Sequence, residues 1–117
     1  MAKLKVMVFD QDQLTLDLCG SILIRNNFEF YSSTSSENLL EKVNNVHPDI
    51  ILVDHLIPLF GGLHALKVLK SEPVFNNIRT ILFASDSNIK ELSISAGADA
   101  YLLKPFSMKD LVGIMVP

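Results

Sequence analysis

An α/β fold, with a parallel sheet covered by helices on both faces, is what this sequence predicts. Short apolar, β-branched runs alternate strictly with stretches of helical spacing. Two of the runs, Ile50 to Val53 and Ile81 to Ala84, are apolar without interruption, as strands buried on both faces are.

The first strand is read at Leu4 to Phe9, and a helix follows on Leu14, Leu18 and Ile22. The second strand is read at Phe28 to Tyr31. The polar stretch Ser32 to Ser36 reads as a loop into a helix carrying Leu39, Leu40 and Val43, whose start is marked by Thr34 and Glu37 at the spacing of a capping box. Ile50 to Val53 is the third strand and precedes a helix on Leu63, Leu66 and Leu69. Thr80 to Ala84 is the fourth, followed by a helix on Ile89, Leu92 and Ala96 that Gly97 should end. Ala100 to Leu103 is the fifth. The last helix holds Leu111, Ile114 and Met115 and starts at Ser107, with Asp110 completing a second capping box.

At 117 residues and 49% hydrophobic, the chain can bury one core, so residues 1–117 are read as a single domain. Its ten basic residues are scattered and its net charge is −3, which argues against direct binding of DNA or RNA. No apolar run approaches the roughly 20 residues of a membrane helix. The N-terminal segment lacks the features of a signal peptide, so a cytoplasmic location is expected. The single cysteine, Cys19, cannot form an internal disulfide and is expected to be a small core residue.

In an open parallel sheet, ligands bind beyond the carboxyl ends of the strands, where the strand order reverses. The first strand ends in Asp10-Gln11-Asp12, the third in Asp54 and the fifth in Lys104-Pro105, so these groups should converge at one edge. Taken singly each has a simpler explanation, since Asp after a strand often caps the next helix and Lys-Pro often turns the chain. His47, His55 and His64 show no paired spacing and are read as surface or packing residues.

Together the strand ends, the segment from Pro48 to Gly62 and the segment from Ala96 to Phe106 resemble the receiver domains of response regulators, over the chain from Lys5 to Val116. The resemblance implies a flavodoxin-like, five-stranded parallel sheet of strand order 2-1-3-4-5. It implies a signalling domain that accepts a phosphoryl group on Asp54 from a histidine kinase or phosphotransfer protein, assisting its own phosphorylation and dephosphorylation without being an enzyme in the usual sense. Mg²⁺ would be held by Asp10, Asp54 and the Leu56 carbonyl, while Lys104 would place a point charge on a phosphoryl oxygen. Output would pass to a downstream domain or protein through the fourth helix, fifth strand and fifth helix, around Tyr101. A homodimer is compatible with this scheme.

The pattern departs from the family in two places. Gln11 stands where the family carries the second acid of its metal site. At an effective dielectric of about 20 a charge pair at about 4 Å is worth roughly 4 kcal/mol before desolvation, so Mg²⁺ binding should weaken. The Gln11 amide oxygen and Asp12 are candidate substitutes, Asp12 equally a helix cap. Ala84 occupies the position where the family has a Thr or Ser hydroxyl, and Ser85 replaces it only if the register shifts by one. These departures motivate an alternative, a degenerate receiver that docks partners independently of phosphorylation. Flavin or nucleotide binding is disfavoured, because the loop after the first strand carries Asp10 and Asp12 and the chain has no glycine-rich phosphate loop.

Overall fold

The computed structural model describes residues 2–117. Five strands, β1 (Lys5–Phe9), β2 (Glu29–Ser33), β3 (Ile50–Asp54), β4 (Arg79–Ala84) and β5 (Ala100–Leu103), alternate with α1 (Gln13–Arg25), α2 (Leu39–Val46), α3 (Gly62–Ser71), α4 (Ile89–Ala96) and α5 (Met108–Ile114). All pairings are parallel and the sheet order is β2-β1-β3-β4-β5. Fold class and strand order are therefore as the sequence implied.

Successive side chains of a strand point to opposite faces, so one sheet feeds two cores. Val6, Val8, Ile50, Leu52, Ile81 and Phe83 pack with Leu16, Cys19, Leu23 and Leu111 on one side. Met7, Phe9, Ile51, Val53, Leu82 and Ala84 pack with Val43, Leu66, Leu69 and Ala96 on the other. Covering both faces explains the unbroken apolar runs of β3 and β4. Cys19 is fully buried, as expected, and burial pushes its thiol up to about 12.

Three local expectations are corrected. The buried stripe of α1 is Leu16, Cys19, Ile22 and Leu23, whereas Leu14 and Leu18 are exposed. The capping box at Thr34 and Glu37 does not form: α2 begins at Leu39 after Asn38, which is left-handed and gives no side-chain cap. Ser32 and Ser33 belong to β2 instead of the loop, since an edge strand can keep polar side chains beside solvent. The Ser107–Asp110 box does form, and Gly97 ends α4 at a φ of 73°.

Beyond the cores, Asp99 ties α3 to the start of β4. Its Oδ2 accepts from the Thr80 amide at 2.8 Å, the Thr80 hydroxyl at 3.1 Å and the Lys70 ammonium at 3.0 Å. Burial opposes its charge, but these donors outweigh that effect and hold its pKa below the ordinary 3.8. A carboxyl depressed in the native state contributes stability above its unfolded pKa and loses it as pH falls through the native value. Asp99→Ala should cost about 1–2 kcal/mol at neutral pH, chiefly by leaving the buried Thr80 amide unpaired. The gap between variant and parent in denaturant titrations should narrow as pH drops below 3.8, because the charge-dependent part of the Asp99 contribution is lost there.

Candidate functional site

Parallel strands bring all their carboxyl ends to one edge, and the order reverses between β1 and β3. Asp10 directly follows β1, Asp54 is the last residue of β3, and both are almost fully buried, at 1% and 6% exposure. Lys104 follows β5, two strands from β3, and spans that gap with its long side chain. Its Nζ lies 2.7 Å from Asp10 Oδ2 and 2.7 Å from Asp54 Oδ1, and 4.4 Å from the centroid of the Phe83 ring. The three groups share one pocket.

The remaining carboxylate oxygens are held by backbone. Asp10 Oδ1 accepts from the Asp12 amide at 2.9 Å, and Asp54 Oδ2 accepts from the Leu56 amide at 3.0 Å. Burial by itself lowers the Lys104 pKa, but its hydrogen bonds to Asp10 and Asp54 and their charges outweigh burial and hold the ammonium above its ordinary value. The pocket is thus two carboxylates sharing one cation, whose side chain is still 24% exposed.

The other candidates are placed less centrally. Gln11 is exposed. Asp12 is the N-cap of α1: its oxygens accept from the Leu14 amide at 3.3 Å and the Thr15 hydroxyl at 2.8 Å, and the Thr15 bond holds its pKa below the usual carboxylate value. Ala84 ends β4 opposite Leu103, is buried on the α3–α4 side, and its carbonyl accepts from the Lys104 amide at 2.7 Å. Ser85 is exposed and lines a surface cleft with Lys104, Phe106, Thr15 and Leu18. The Leu56 side chain points to solvent.

Two features of the rim escaped the sequence. Ser36 is buried, and its Oγ accepts from the amides of Leu59 and Phe60 at 2.8 and 3.1 Å, while its own amide donates to the Pro58 carbonyl. The β2–α2 loop thereby holds the loop that follows Asp54. On the other side His55 Nδ1 lies 3.2 Å from Asp86 Oδ1. A carboxylate only accepts, so the ring nitrogen carries the hydrogen. His47 and His64 are exposed.

Gly62 fits the same loop for a steric reason. A Cβ there would stand 2.9 Å from the Asp54 carbonyl carbon and 2.9 Å from the His55 Cα, and closer still to the Asp54 carbonyl oxygen. Backbone atoms cannot rotate away, so Gly62→Ala should lower stability by about 1–3 kcal/mol, read by chemical denaturation.

The response regulator receiver domain family matches residues 6–115. The chain belongs to this family. It is a receiver domain of the two-component type. The receiver is 29% identical over 110 residues to the phosphate regulon transcriptional regulatory protein PhoB of Klebsiella pneumoniae, which covers 92% of this chain and 48% of that protein. It is 29% identical over 112 residues to protein PilG of Pseudomonas aeruginosa, covering 94% of this chain and 83% of PilG. The receiver thus spans about half the length of some curated relatives, PhoB among them, and most of PilG. Its fold superposes on the chemotaxis response regulator CheY4 of Vibrio cholerae with a TM-score of 0.88 at 18% identity, over 95% of this chain and 94% of CheY4. No helix among the described residues is long and apolar enough to cross a membrane.

Proposed function

We propose that this receiver accepts a phosphoryl group on Asp54 from a phosphohistidine of a histidine kinase or phosphotransfer protein. The observation that carries the proposal is the convergence of Asp10, Asp54 and Lys104 in one pocket. An Asp54 carboxylate oxygen attacks phosphorus, an O–P bond forms, the N–P bond of the donor breaks, and the released imidazole nitrogen takes a proton from water. The transition state is loose and its charge lies on the phosphoryl oxygens, so the protein's contribution is positioning and neutralisation. Lys104 supplies the neutralising ammonium, and the Leu56 amide orients Asp54 by its hydrogen bond to Oδ2.

The donor set is all hard oxygen, which suits Mg²⁺. Asp10, Asp54 and the Leu56 carbonyl would hold the ion, with the Gln11 amide within the same loop. When bound, Mg²⁺ adds positive charge beside the phosphoryl oxygens. With Gln11 in place of an acid, such a site rests on two carboxylates and would be weaker than one with three. Ser85, beside Lys104 in the cleft, is the candidate hydroxyl in place of Ala84.

The output surface in this reading is α4, β5 and α5, where Ile94, Tyr101, Leu103 and Met108 are exposed, and the location is cytoplasmic. Gln11 and Ala84 favour one second reading, docking without phosphorylation. Intact-mass measurement after acetyl phosphate treatment, with and without Mg²⁺, separates the two. A Mg²⁺-dependent phosphoryl adduct supports the first, and its absence, with no beryllofluoride binding, supports the second.

A further inference from the structure

We infer that the His55–Asp86 contact is the link that carries the state of Asp54 to α4, in place of the hydroxyl that Ala84 lacks. The inference rests on the phosphoacceptor reading of Asp54. His55 is covalently next to Asp54, and its backbone amide donates to the Phe83 carbonyl at 2.8 Å, which fixes its main chain to β4. Its imidazole then reaches forward to Asp86, in the loop between β4 and α4. The Asp86 carbonyl accepts from the Ile89 amide at 3.1 Å, so Asp86 is tied to the first turn of α4. Ile89 is buried in the core beneath that helix, and the far side of α4 shares a cleft with Tyr101 of β5. An unbroken run of contacts therefore leads from Asp54 through His55, Asp86 and Ile89 to the exposed α4–β5 face.

The alternatives at β4 do not provide such a run. Ala84 has no polar side-chain atom. Ser85 is exposed and lies on the cleft toward α1, away from the α4 side. The His55–Asp86 contact is also weak enough for a switch: its side chains are 23% and 38% exposed, so water competes for both groups. A contact so open to solvent can be remade when a modest differential interaction at Asp54 favours a second loop position.

The test is amide NMR of the full chain, free and with beryllofluoride and Mg²⁺, for the parent, His55→Ala and Asp86→Ala, each of which removes one partner of the contact. Both side chains are partly solvent-exposed, so folded variants are expected. In the parent, resonances around Asp10 and Lys104 and those of Ile89–Ala96 and Tyr101 should shift. In both variants the pocket resonances should shift as in the parent, while the shifts in α4 and at Tyr101 are lost. Undiminished α4 shifts in the variants would overturn the link and leave Asp54 as acceptor intact. Loss of the pocket shifts in both variants would also overturn it, by making the pair part of the binding site. A parent that shows no shift anywhere would overturn the phosphoacceptor reading and this inference together.

Discussion

Asp54→Asn should abolish acetyl phosphate modification, with no phosphoryl adduct in the intact mass and no response to beryllofluoride. The amide that replaces the carboxylate is a poor nucleophile, and covalent catalysis by an acidic side chain depends on its ionised oxygen. The loss should be specific. Asn keeps one carbonyl oxygen, enough for either the Lys104 ammonium or the Leu56 amide but not for both, so stability should fall by about 1–2 kcal/mol, well short of unfolding. A variant that still gains the phosphoryl mass would move the nucleophile elsewhere, and peptide mapping would then distinguish Asp10 from Asp12.

Lys104→Met should have the second largest effect, on both chemistry and stability. The methionine keeps most of the aliphatic stem against Phe83 but removes the only ammonium within hydrogen-bonding distance of Asp10 and Asp54 among the described residues. Two nearly buried carboxylates would then face each other without a cation. Losing one partner of a buried pair costs about 3–5 kcal/mol, and because Lys104 is partly solvated the expected loss is about 2–3 kcal/mol by denaturant titration. The phosphorylation rate with acetyl phosphate should fall about 10²-fold, the usual scale for removing one group that stabilises transition-state charge. A rate near that of the parent would show that Lys104 serves the fold alone.

The ends of β1, β3 and β5 were legible in the sequence because each is marked by an abrupt change from apolar to charged residues, and parallel topology then brings those ends together. Asp10, Asp54 and Lys104 could therefore be named before any distance was known. The facing of α1 was not legible, because two apolar stripes compete on it: Leu14, Leu18 and Ile22 at intervals of four, and Leu16, Cys19 and Leu23 at three and four. Only the position of the helix over the sheet chooses between them. The capping box at Thr34 failed because β2 runs through Ser33 and the chain needs the following residues to turn before α2 begins.

The contacts of Ser36 with Leu59 and Phe60, and of His55 with Asp86, join residues far apart in the chain. No periodicity or local spacing encodes such pairs. A serine in a serine-rich loop and a histidine without a neighbour of its own kind look ordinary until the strands are laid side by side.

The buried Ser36 hydroxyl has a consequence for the energetics of the pocket. Ordering a residue costs about 1–2 kcal/mol of backbone entropy, and at Leu59 and Phe60 that cost is met while the chain folds, through two hydrogen bonds to a neighbouring loop. The lip around Asp54 is accordingly pre-set, and an arriving ligand meets a shaped surface that it need not freeze into place.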